Sequence, residues 1–135
     1  MAAEPKTRPT DASVPDFIAA VENPVRRADA EAISAMMAEA TGEPPVLWGA
    51  SIVGFGRYRG PTGDWPLVGF SPRKANLVLY IMPGFAEQAD LLARLGKHKT
   101  GSACLYLNRL ADADPAILRE LIDRSIASVR ARYGD

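Results

Sequence analysis

The sequence predicts an α+β fold: a two-layer sandwich in which the N- and C-terminal helices share one face of a single antiparallel sheet. Three observations carry this. The order of elements reads helix, a meander of short strands, helix, strand, helix. The links between the strands are too short for parallel crossovers, which need a dozen residues or more. Each long helix also shows a single apolar stripe, as a helix lying on a sheet requires.

The elements follow in order. Met1 to Thr10 is polar and punctuated by proline, and reads as a flexible arm ahead of a single domain over 11–135. Ser13 with Asp16 three residues on opens a short helix through Phe17, Ile18 and Val21. Asn23-Pro24 restarts it, with asparagine as cap and proline at the first helical position. Val25, Ala28, Ala32, Ile33, Met36, Met37 and Ala40 then recur at helical spacing until Gly42 ends the helix. Pro44-Pro45 changes the pattern. Val46 to Trp48, Ile52 to Tyr58, Trp65 to Phe70 and Leu77 to Met82 are β-branched and aromatic runs, joined by Arg59–Asp64 and Ser71–Asn76. Gly84 to Leu95 reads as a helix with Phe85, Leu91, Leu92 and Leu95 inward and Gly96 as its stop. Ala103 to Asn108 is a further strand. Asp114-Pro115 caps the last helix, whose stripe is Ile117, Leu118, Leu121, Ile122, Ile126 and Val129.

Composition narrows the class. The 135 residues are 47% hydrophobic and 24% charged, an ordinary globular balance for one domain. There is no run of about 18 uncharged apolar residues and no apolar leader, so neither a membrane span nor export is expected. A single cysteine, Cys104, allows no internal disulfide and fits the cytoplasm. Sixteen basic and sixteen acidic residues give no net charge, hence no overall pull toward nucleic acid or membrane. The charge is nevertheless unevenly placed: residues 46–110 hold 8 bases and 3 acids.

Three stretches exceed what folding requires. Gly54 and Gly56 share one face of a predicted strand, leaving room for a helix or a ligand to approach. Arg73 and Lys74 occupy a tight turn, where charge is either merely solvated or used for binding. Gly96-Lys97-His98-Lys99-Thr100-Gly101 gathers two lysines and the only histidine between glycines. Cations just past a helix end favour its dipole without any ligand. The number of donors here exceeds that need and suits an anion. Arg73, Lys74, Lys97, His98, Lys99 and Thr100 are therefore the candidate ligand-binding residues, for a small anionic or phosphorylated ligand. Cys104 reads as a small strand hydrophobe or as a thiolate nucleophile needing His98 or a lysine beside it. One histidine and one cysteine build no Cys/His metal cage, and no catalytic triad or carboxylate pair stands out. A binding domain is expected ahead of an enzyme. An interaction module using Tyr58, Tyr80 or Tyr106 on an uncovered sheet face is a further alternative, with no particular protein partner indicated.

These same stretches carry a resemblance. LWGASIVGFGRY (Leu47 to Tyr58), DWPLVGFSPRK (Asp64 to Lys74) and LGKHKTGSACLY (Leu95 to Tyr106) resemble segments of the YdhG-like family of bacterial domains of unknown function. The likeness runs from about Lys6 to Tyr133. It implies a frataxin-like α/β sandwich and, from some relatives, an iron-chaperone role. Iron delivery of that kind uses exposed carboxylates on the first helix and strand. Asp29, Glu31 and Glu39 stand on the first long helix, with Glu43 beyond it; Arg26 and Arg27 lie among them, Arg27 at pairing distance in sequence from Glu31.

Overall fold

Helices begin where side chains can satisfy their first N–H groups, and both early caps act as the sequence indicates. The computed structural model describes residues 9–60, 63–81, 88–101 and 103–133. Ser13 Oγ accepts from Asp16 N to open α1 (Val14–Ala19). Asn23 Oδ1 accepts from the N–H groups of Val25 and Arg26 at 2.9 and 3.0 Å, opening α2 (Pro24–Thr41). Gly42, with φ of 72°, closes α2 in the left-handed conformation. The strands are β1 (Pro45–Trp48), β2 (Ile52–Phe55), β3 (Tyr58–Gly60), β4 (Gly63–Trp65), β5 (Val68–Pro72) and β6 (Leu77–Ile81). Then come α3 (Ala89–Leu95), β7 (Lys99–Thr100), β8 (Cys104–Leu107), a 3-10 turn at Leu110–Asp112, and α4 (Pro115–Tyr133).

Six strands form one sheet in the order β1-β2-β5-β6-β8-β7, every neighbouring pair antiparallel. Cross-strand partners share a face. Val53, Phe55, Val68, Phe70, Leu77, Leu79, Leu105 and Leu107 therefore face one way, and they are buried with Ala30, Ile33 and Met37 of α2 and Leu118, Leu121, Ile122 and Ile126 of α4. The first and last long helices thus lie on one face, as the short links and apolar stripes require, and they pack against each other as well. Leu91 and Leu95 of α3 enter the same core. Gly84 to Glu87, including Phe85, lie outside the described residues. Pro9 and Thr10 dock on β1, where Thr10 donates from both its N–H and its hydroxyl to Leu47 O at 2.8 Å.

Four details depart from the sequence reading. The runs Ile52 to Tyr58 and Trp65 to Phe70 are not single strands: Gly56 takes φ of 69° and ends β2, Trp65 ends β4 before β5 begins at Val68, and Arg59 and Asp64, read as a link, pair within a separate β3–β4 hairpin. Gly54 makes room for neither a helix nor a ligand; a Cβ there would lie 2.7 Å from both Trp48 Cδ1 and Pro66 Cβ. The buried face of α2 is Ala30, Ile33, Met37 and Thr41, while Val25 is 53% exposed and Ala28 and Ala32 face solvent. Methyl side chains bury too little area to fix a helix's rotation, so the two large residues decide it. Finally, Lys99 and Thr100 are not loop but an edge strand.

Candidate functional site

The sheet face turned away from the helices carries the polar chemistry. Alternation along β5, β6 and β8 assigns its residues. Gly69, Tyr80 and Cys104 form one cross-strand row; Ser71, Val78, Tyr106 and Lys99 form the next. Arg73, two residues beyond Ser71, turns back over this face, and its Nη2 donates to Tyr80 Oη at 2.9 Å. The contact exists because the hairpin between β5 and β6 closes tightly, with Arg73 N donating to Asn76 O at 3.0 Å. Gly69 allows the close strand approach beneath: a Cβ there would sit 2.8 Å from Val53 O.

Every polar side chain in this group can donate a hydrogen bond. Burial pushes the Tyr80 phenol above its usual range, a rise the Arg73 guanidinium only partly offsets, so the hydroxyl stays protonated at neutral pH. Tyr106 is likewise held up, first by hydrogen bonding with the Cys104 side chain and then by electrostatic interaction with it. Cys104 itself is half-buried. Ser71 is buried, and its Oγ has no hydrogen-bond partner among the described residues. No described carboxylate lies within ion-pair distance of Arg73 or Lys99, whereas Arg57, Arg109, Arg119 and Arg124 all have acidic partners. A cluster of uncompensated donors is chemically suited to an anion.

Of the six residues expected from sequence, only Arg73 and Lys99 fall on this face. The register puts the Arg73–Asn76 turn and the chain entering β7 at the same end of the sheet, but β6 and β8 lie between them. Lys74, with Ser71 and Arg73, lines a cleft at that end of the sheet that α1 and α2 also border. His98 Nδ1 lies 2.7 Å from Gly96 O, Lys97 is exposed after α3, and Thr100 pairs with Leu105 and so belongs to the opposite face. Tyr80, Tyr106 and Cys104 complete the group. Their sequence signal was the two-residue alternation within two strands, which sets them on one face once the strands pair. Tyr58 is elsewhere, stacked on Tyr133 with centroids 4.8 Å apart.

The acids of α2 are engaged separately. Asp29 Oδ2 accepts from Leu110 N at 3.0 Å, and Glu39 pairs with Arg119. Arg27 does not pair with Glu31; its guanidinium donates to Val21 O at 2.8 Å, closing the α1–α2 junction. Among the described residues, no three His, Cys, Asp or Glu side chains are grouped to hold a metal ion, and no helix is long and apolar enough to cross a membrane. In comparisons with known proteins, no family model, no curated protein and no solved structure matches this chain.

Proposed function

We propose that this chain is a non-enzymatic, cytoplasmic binding domain that holds a small anion, a phosphate group first, over the open face of its sheet. Arg73 and Lys99 supply the charge, and the Tyr80 and Tyr106 hydroxyls supply neutral donors. The observation that carries this is the Arg73–Tyr80 hydrogen bond, set among donors with no described carboxylate to neutralise them. Each charge-assisted hydrogen bond to such a ligand contributes about 1.5–3 kcal/mol. The same reading treats the chain as a YdhG-like domain. Its support is that two of the three segments bearing that resemblance, Asp64–Lys74 and Leu95–Tyr106, supply Arg73, Lys99, Cys104 and Tyr106.

The test is a thermal-shift series with phosphate and sulfate against chloride at matched ionic strength. At a hundredfold excess over the dissociation constant, one site adds about 2.7 kcal/mol, or ~10 °C for a chain of this size. Arg73→Ala and Lys99→Ala should each abolish most of the gain, Tyr80→Phe should reduce it, and Lys97→Ala should leave it intact. Equal stabilisation in wild type and all variants would mean a general salt effect and end the proposal.

Iron handling in the frataxin manner has less support, because Asp29 and Glu39 already serve structural contacts. Anaerobic calorimetry with ferrous iron is expected to show no tight stoichiometric site. Tight binding that disappears in the double variant Glu31→Gln, Glu39→Gln would reverse the order of the two readings.

A further inference from the structure

A second feature adjoins the hairpin that carries Arg73. A cleft of 730 Å³ opens where α1 meets the N-terminal end of α2 and the turns at that end of the sheet. Its volume falls in the range that accommodates small organic ligands, about 300–1,000 Å³. The wall is apolar where α1, the link after it and the end of β5 contribute Phe17, Val21 and Pro72. Phe17 is half-buried, packed on its inner side against the core. The lining also holds cations, Arg26 from α2 and Arg73 and Lys74 from the hairpin, and the Ser51 hydroxyl.

The charges are fixed and uncompensated to different degrees. Arg26 is half-buried, and its Nη1 donates to Asn108 O at 2.9 Å, which holds the guanidinium in place while leaving other N–H groups unused by that contact. Lys74 is exposed, and neither residue has a carboxylate within ion-pair distance among the described residues. Glu22 lines the cleft and offsets one charge of the set. The helix end itself is not the donor, since Asn23 Oδ1 already takes the N–H groups of Val25 and Arg26. Ser71 and Arg73 also line the cleft, but Arg73 Nη2 donates to Tyr80 Oη, so the cleft adjoins the open-face site and adds Arg26 and Lys74 as cations of its own.

We infer that the cleft is a second site, adjoining the first, for an organic carboxylate with an apolar body, the carboxylate held by Arg26 and Lys74 and the body laid against Phe17, Val21 and Pro72. Inorganic phosphate has no apolar part and gains nothing from that wall; an aliphatic or aromatic acid gains from both ends.

The experiment is an amide-resolved NMR titration of the full chain with phenylacetate, with 2-phenylethanol as its uncharged counterpart, and with inorganic phosphate. Phenylacetate is expected to shift amides of residues 17–26, Ser51 and the 71–74 segment. Lys74→Gln and Arg26→Gln should each weaken it about tenfold or more. Phenylethanol should bind at least tenfold more weakly than phenylacetate. Phosphate should instead shift β6 and β8, and its effect should respond to Lys99→Ala and not to Lys74→Gln. Shifts absent from the cleft, equal affinity for acid and alcohol, or affinity unchanged in both variants would each overturn the inference. The open-face proposal stands or falls on the phosphate arm alone, so the two failures are distinguishable.

Discussion

Gly96→Ala should destabilise the protein by about 3–5 kcal/mol, a large share of the ~5–15 kcal/mol that a domain possesses. Gly96 ends α3 with φ of 120°, where L residues are strained. A Cβ there would lie 2.1 Å from the Asp112 carbonyl oxygen, which is main chain and has no rotamer to yield. Nor can the backbone move away freely. Gly96 bridges Ala113, and Asp114 N donates to Leu95 O at 2.7 Å, tying the end of α3 to the start of α4. Urea denaturation measures this as a lower midpoint at unchanged slope. Gly42→Ala is the matching control, since it has φ of 72° and nothing within 4 Å of its added methyl. It should cost only the left-handed conformation, about 1–2 kcal/mol. Equal losses in the two variants would show that the close approach to Asp112 is not constraining. Because Gly96 also aims the chain into β7, Gly96→Ala should loosen the edge strand that carries Lys99.

Features encoded within a few residues were legible from sequence. Ser13, Asn23-Pro24, Gly42 and the short links between strands each act locally, and each gives the element it indicates. Apolar stripes were legible where side chains are large, as in α4, and not in α2, where alanines lie all around the helix and only Ile33 and Met37 discriminate. The site was half legible. Lys97 to Thr100 looks like one cationic group in sequence, but strand alternation deals Lys99 to the face of Tyr106 and Thr100 to that of Leu105. Conversely, Arg73, Tyr80 and Cys104 meet only because the β5–β6 and β6–β8 registers bring them together, and register over such separations follows from core packing as a whole. The break at Gly56 was hidden for a related reason: Phe55 and Tyr58 both suit a strand, and only a positive φ between them separates β2 from β3.

Phe70→Ala should lower stability by about 3–5 kcal/mol and the melting temperature by ~10–20 °C. Phe70 is fully buried in the middle of β5, opposite Val53 on one side and Leu79 on the other. Its ring stacks on Phe55 at 6.4 Å between centroids, beneath α2, which packs on β5. Removing it leaves a cavity between the two layers that the strand cannot close without giving up its pairing with β2 and β6. The same strand presents Gly69 and Ser71 to the open face, so the variant also tests whether the two faces are separable. The anion site depends on the β5–β6 register and on the Arg73–Tyr80 hydrogen bond, neither of which includes the Phe70 ring. Phe70→Ala should therefore melt much earlier yet keep the phosphate-induced rise. Tyr80→Phe, which removes one exposed-side hydroxyl, should melt near wild type with that rise reduced. Calorimetric scans of both variants with and without phosphate give the comparison. If Phe70→Ala loses the phosphate response while still folded, the open face is held in shape by core packing, and Arg73 owes its position to the layer beneath and not to the hairpin alone.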